Sequence, residues 1–223
     1  MLEVKTKEPK LIISNHKASR KSFLYFFIKR TIDIIGALIG LIVFSPVFLI
    51  LGLIVKKDSE GPVFFAHKRV GYKGQDIEIY KFRTMVANAE ELLDTLPEEQ
   101  KKEFSENFKL ENDPRITKIG HFLRRTSLDE LPQLLNILKG DLSIVGPRPV
   151  IRKELELYGK YAEKFLSVKP GLTGFWQVNG RSNTTYEERV KLDMEYIDNR
   201  SVLMDIKIIF KTFTEVFKGN GAK

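Results

Sequence analysis

The 223 residues are 43% apolar and 30% charged, a balance that excludes a disordered chain and suffices for one good-sized core. The absence of cysteine excludes a disulfide framework, a thiolate zinc site and a cysteine nucleophile. The formal charge of +8, with a pI near 9.4, points to an anionic partner. Residues 1–21 concentrate it: Lys5, Lys7, Lys10, Lys17, Arg20 and Lys21 stand against Glu3 and Glu8, beside an apolar segment. That arrangement suits anionic membrane lipids. Nucleic acid is not an expected partner, because aromatic–basic interleaving and known binding motifs are missing.

In chain order, residues 1–21 read as a basic flexible tail, 22–57 as a membrane-associated segment and 58–223 as a catalytic domain. Ile34–Val55 carries no charge over 22 residues, about 33 Å of helix against a hydrocarbon core of ~30 Å. Ser45-Pro46 sits at its centre, where proline removes a backbone hydrogen bond. Basic residues flank both ends: Lys17, Arg20, Lys21, Lys29 and Arg30 before, Lys56, Lys57, Lys68, Arg69 and Lys73 after. Positive flanks stay cytosolic, so both ends are expected on one face, as in a re-entrant helix broken at Ser45-Pro46. A kinked single span is the simpler alternative.

Beyond residue 57, Pro62–Phe65 and Asp76–Phe82 alternate around Gly71 and Gly74, predicting a β-hairpin. Residues 87–108 are helix-prone with a break near Pro97, and Asn112-Asp113-Pro114 is a turn before another helical pattern. Leu128, Leu131, Leu134, Leu135 and Leu138 form a helical stripe ending at Gly140. Residues 150–168 read as one helix, and 171–180 as a glycine-rich loop or short strand. The terminal pattern Leu203, Ile206, Ile209, Phe210, Phe213, Phe217 is an amphipathic helix for the bilayer surface or for docking on the core. The expected class is α+β, mostly helical, with a small hairpin and surface amphipathic helices around the active site.

Three stretches can carry chemistry. In Arg124-Arg125-Thr126-Ser127-Leu128-Asp129-Glu130, the Ser127…Glu130 spacing matches a capping box. Asp129 and Glu130 then lie at a helix N-terminus, where the dipole is expected to keep both ionised, as caps, as nucleophile or as metal ligand. The two arginines could hold phosphate. In Gly146-Pro147-Arg148-Pro149, flanking prolines aim a guanidinium suited to phosphate, unless Arg148 simply pairs with Asp141. In Pro170–Arg181, glycines allow close ligand approach while Trp176, Gln177 and Arg181 offer stacking and polar contacts; a tight turn around a buried tryptophan is the alternative. Lys81 and Arg83 end the hairpin and add charge. His16, His67 and His121 are scattered without metal-ligand spacing, and no G-x-S-x-G, Walker A or dinucleotide fingerprint is present.

Together, the Ser-Pro-broken apolar segment, YKFRTM (80–85), LRRTSLDELPQLLNILKGDLSIVGPRP (123–149) and KPGLTGFWQVNGR (169–181) closely resemble the bacterial sugar transferase family, the monotopic phosphoglycosyl transferases. The resemblance covers roughly residues 28–217. It implies that Asp129 attacks the β-phosphorus of a UDP-sugar, expels UMP, and passes the phosphosugar to undecaprenyl phosphate in exopolysaccharide, capsule or O-antigen assembly. It further implies Mg²⁺ held by Asp129 and Glu130, phosphate binding by Arg124 and Arg148, and a place at the cytosolic face of the bacterial inner membrane. Lys81, Arg83 and Arg125 are additional phosphate candidates, and Trp176, Gln177 and Arg181 candidates for the nucleotide-sugar. Compared with long family members the chain reads as a catalytic core alone, and a homodimer stays open. The rival reading is a non-catalytic membrane-anchored scaffold, in which Asp129 is only a cap.

Overall fold

The computed structural model describes residues 20–107, 110, 112–180 and 184–217. Arg181, His16 and most of the basic tail lie outside the described residues. A single helix, α1 (Arg20–Asp58), dominates the molecule; it is long and apolar enough to cross a membrane, by length and composition, and is mostly exposed. It runs unbroken through Ser45-Pro46, so the expected break is not a loss of helix. The reason is local. Pro46 denies the Ile42 carbonyl its usual N–H, and the Ser45 hydroxyl donates to that carbonyl instead, at 2.8 Å.

The rest of the chain packs along one side of α1. The hairpin β1 (Phe64–Val70) and β2 (Asp76–Phe82) is antiparallel, with Phe65 opposite Lys81, His67 opposite Ile79 and Arg69 opposite Ile77. Lys73 and Gly74 both take positive φ to turn the chain. Two short helices, α2 (Ala89–Asp94) and α3 (Glu98–Asn107), flank the expected break at Pro97. Next, α4 (Lys118–Thr126) is N-capped by the Thr117 hydroxyl, which accepts from Gly120 N–H at 2.9 Å. Residues Leu128–Glu130 form a single 3₁₀ turn into α5 (Gln133–Lys139), with Pro132 tolerated where no intrahelical donor is needed. Gly140 closes α5 at φ 92°. Within the leucine stripe, Leu134 is buried but Leu135 faces outward.

β3 (Ser143–Val145) pairs in parallel with β4 (Gly171–Thr173). A side chain on Gly171 would sit 2.1 Å from Gly146 N, so the two backbones meet only because both residues are glycine. Between them, the single helix expected over 150–168 is instead α6 (Arg152–Leu155), a 3₁₀ stretch and α7 (Ala162–Leu166), because Gly159 leaves helical geometry at φ 49°. The chain then forms α8 (Phe175–Asn179), α9 (Tyr186–Asn199) and α10 (Val202–Phe217).

Three apolar clusters hold these elements together. Ala37 of α1 meets Ile79, Leu134, Ile137 and Leu142. Leu51 and Val55 of α1 meet Phe82 and Leu123. The third gathers Val145, Tyr158, Phe165, Met194, Tyr196 and Ile208 around α9. Gly36 and Gly40 keep α1 close: a side chain on Gly36 would meet Ile144 at 2.6 Å, and one on Gly40 would meet Leu134 at 3.0 Å. Polar clamps add to this. Arg30 donates to the last carbonyls of α5 at Ile137 and Leu138, and buried Asp33 accepts from Ser143 Oγ and Ile144 N. On α10, Asp205 and Ile208 dock inward while Leu203, Ile206, Phe210 and Phe213 form an exposed stripe.

Candidate active site

Lys81 is fixed first. The buried Asn136 side chain accepts from Tyr80 N at 2.9 Å and donates to the Glu78 carbonyl at 2.6 Å, satisfying the free edge of β2 just before Lys81. The neighbouring 3₁₀ turn is seated on the cluster that α1 shares, since Leu128 and Leu131 pack against the group of Leu51, Val55, Phe82 and Leu123. These two placements bring Lys81 Nζ within 3.3 Å of Asp129 Oδ2 and 2.7 Å of Glu130 Oε1. Arg148 Nη2 reaches the same Glu130 oxygen at 3.0 Å, not Asp141. Arg124 is held by its Nε–H to Thr84 Oγ1, 2.9 Å, close enough to act on Asp129.

Electrostatics separate the two carboxyls. Burial pushes Asp129 above the usual carboxylate range and adjacent Glu130 adds to the rise, while Lys81 and Arg124 oppose it. Burial acts the same way on Glu130, but Lys81 and Arg148 overcome it and hold that group well below its ordinary value. A shared helix N-terminus does not make the two alike: their surroundings shift them in opposite directions, Asp129 up and Glu130 down. The capping box is corrected: Ser127 is the left-handed C-cap of α4 at φ 57°, and its side chain makes no cap bond to the turn that follows. Asp129 is aimed at a lysine in another element.

The site thus gathers Lys81, Arg124, Asp129, Glu130 and Arg148. Arg83 is not among them. Its guanidinium donates to the carbonyls of Val55, Ser59 and Glu60, closing the C-terminal end of α1. Arg125 is exposed. Trp176 is buried beneath the Arg189 guanidinium, 4.2 Å from the ring centre, and Gln177 donates to the Leu172 carbonyl. These two sit behind the 146–149 loop, which β4 supports through Gly146 N to Thr173 O and Gly171 N to Pro147 O. Sequence reading passed over His67 and Arg69. Strand alternation is the signal that could have found them, since Phe65, His67 and Arg69 share one hairpin face with Lys81 and Ile79.

For a metal, the donors are Asp129 and Glu130; among the described residues no group of three or more His, Cys, Asp or Glu could hold an ion. Mg²⁺ commonly takes one or two carboxylates plus substrate phosphate oxygens, so the pair fits a cation that shares a phosphate ligand.

Fold and site describe a mostly helical α+β protein with one helix long and apolar enough to cross a membrane and a carboxylate pair held by lysine and arginine. The bacterial sugar transferase family model matches residues 24–219, and the chain belongs to that family. It is 46% identical over 215 residues to the undecaprenyl-phosphate galactose phosphotransferase of Salmonella typhimurium, covering 95% of this chain and 44% of that one. Identity is 44% over 200 residues to the UDP-glucose:undecaprenyl-phosphate glucose-1-phosphate transferase of Escherichia coli, 86% of this chain and 40% of that one. The exopolysaccharide production protein ExoY of Rhizobium meliloti is 44% identical over 87% of both chains. This chain spans less than half the length of the first two.

Proposed function

We propose that this protein is a phosphoglycosyl transferase that moves a sugar 1-phosphate from a UDP-sugar to undecaprenyl phosphate through a covalent intermediate on Asp129. One observation carries the reading. Asp129 is 5% exposed, its pKa is raised above the ordinary range, and it faces Lys81 across 3.3 Å beside Glu130, one oxygen of which Lys81 and Arg148 share. A desolvated carboxylate is a reactive one, and a pure cap would turn its oxygens to backbone N–H groups. The names of the relatives supply the substrate classes.

In the first step an Asp129 oxygen bonds to the β-phosphorus, and the bond from that phosphorus to the bridging oxygen breaks, releasing UMP. In the second, an oxygen of the lipid phosphate bonds to the same phosphorus and the Asp129 carboxylate leaves, giving the lipid diphospho-sugar. One displacement becomes two. Lys81, Arg124 and Arg148 offset the repulsion between carboxylate and diphosphate. Mg²⁺, held by Asp129 and Glu130, would neutralise further phosphate charge when bound.

The same reading places both ends of α1 at the cytosolic face. The helix is about 58 Å long, yet one body contacts it from Lys29 to Val55, which suits a helix that enters and returns with its partner domain on one side. The exposed stripe of α10 then meets the headgroups. Single cysteines at Ser19 and Ser59 test this: an impermeant thiol reagent should miss both in intact cells and reach both after permeabilisation. The chemistry is tested by quenching enzyme, Mg²⁺ and sugar-labelled UDP-sugars without lipid. Label on Asp129 with release of UMP is the expected result, and turnover with no labelled protein would overturn the covalent route.

A further inference from the structure

A small cleft lies on the hairpin side of Lys81 and Arg148, the two cations that hold Glu130. His67, Arg69, Lys81, Gln133 and Arg148 line it. Three cations on one small concave surface is already an anion site, but each of them has a carboxylate partner within the protein. Lys81 bridges Asp129 and Glu130, Arg148 holds Glu130, and Arg69 holds Glu154 at 2.9 Å. His67 differs. Its Nδ1 lies 3.4 Å from Arg69 Nη2, and a guanidinium only donates, so Nδ1 accepts. Neutral imidazole then carries its proton on Nε2. Burial, with Arg69 and Lys81 nearby, pushes the imidazolium pKa down to about 4, so this neutral tautomer holds at physiological pH.

The result is one oriented neutral donor among cations that are already occupied. We infer that this cleft is a subsite for a phosphate monoester and that His67 is a positioning residue there, donating from Nε2 to a phosphate oxygen with Arg69 fixing its tautomer. Phosphate monoester is the chemistry shared by UMP, the leaving product, and the polyprenyl phosphate acceptor. Both carry terminal oxygens that accept several hydrogen bonds. Inside a cationic cleft, a neutral donor adds direction without adding charge, so it binds an anion without trapping it. The inference rests on the transferase reading above.

The test uses the full chain in detergent with two variants. His67→Leu removes the donor, and His67→Gln keeps an N–H at similar reach. Equilibrium dialysis with labelled UMP reads the first source, and the KM for undecaprenyl phosphate at saturating UDP-sugar reads the second. A hydrogen bond to a charged group is worth ~1.5–3 kcal/mol, so His67→Leu should weaken one of the two by about tenfold or more. His67→Gln should restore most of that loss, which a merely structural role of the ring would not do. Weakening confined to UMP assigns the cleft to the nucleotide phosphate; weakening confined to the KM assigns it to the lipid headgroup. If both variants bind UMP and lipid phosphate like the parent, the inference fails while the transferase reading stands. If the parent itself neither binds UMP nor turns over, the transferase reading fails first.

Discussion

Two lysines in this molecule are each paired with a buried aspartate, and they do different work. At the foot of α1, Lys29 donates to Asp205 Oδ2, to the Val145 carbonyl and to Tyr196 Oη. Asp205 accepts in addition from Tyr25 and Tyr196, so both of its oxygens are taken. At the cleft, Lys81 touches Glu130 at 2.7 Å but Asp129 only at 3.3 Å. A saturated network has nothing left to offer a ligand, and its function is to hold elements together. An unsaturated one keeps lone pairs available at the expense of a desolvated charge. Proximity of opposite charges does not separate architecture from chemistry; the count of satisfied atoms does.

The comparison breaks most directly at the two aspartates. Asp129→Asn should lower UMP release by on the order of 10⁴-fold or more, with the thermal unfolding midpoint unchanged or raised, because a costly buried charge is gone. Asp205→Ala should do the reverse: it strands Lys29 without its anion, costing about 3–5 kcal/mol of stability, while the folded fraction keeps its kcat. Melting in detergent alongside initial rates separates the two. If Asp205→Ala abolishes turnover in protein that melts like the parent, the closed network is more than a clamp.

Lys81 sharpens the contrast through pH. On the proposed mechanism Asp129 must be ionised to attack, so kcat/KM should rise with pH through its pKa. Burial and Glu130 raise that pKa, and Lys81 is the largest opposing influence. In Lys81→Met the acid limb should therefore move to higher pH, by about one unit or more for each 1.4 kcal/mol of lost attraction. A limb that stays in place would mean that another group controls it. The smallest effect is expected at Arg148, whose side chain is 38% exposed and makes one contact with Glu130. Arg148→Lys keeps the charge but not the planar fork, and UMP release should fall by about tenfold.

Much of this was legible in the sequence where local pattern decides structure. The hairpin follows from alternation in Asp76–Phe82, and the LDE and GPRP stretches carry the carboxylates that meet Lys81 and the arginine that meets Glu130. What escaped depends on distant partners. Arg83 looks like an active-site cation beside Lys81, yet it serves carbonyls 23 to 28 positions away. The Ser127–Glu130 spacing imitates a capping box, but the left-handed Ser127 belongs to the preceding helix. His67 was dismissed for lacking a metal-ligand neighbour, when its partner was an arginine two positions along the same strand face. Helix α9 went unread although Val190, Asp193, Met194 and Ile197 repeat at helical spacing, because a buried aspartate interrupts the apolar stripe. Likewise Lys29 and Arg30 count as topology-setting charges in the sequence, but the fold spends both on internal carbonyls and Asp205.

The seating of α1 has a practical consequence for anyone handling the protein. Ala37, Leu51 and Val55 complete two of the three apolar clusters, and Leu128, in the turn that carries Asp129, packs against the second of them. Trimming the chain to begin after Asp58, in pursuit of a detergent-free enzyme, would leave Ile79, Phe82, Leu123 and Leu134 facing water. Such a fragment should collect in inclusion bodies. The helix is a floor joist under the catalytic room, and the room does not stand when it is sawn away.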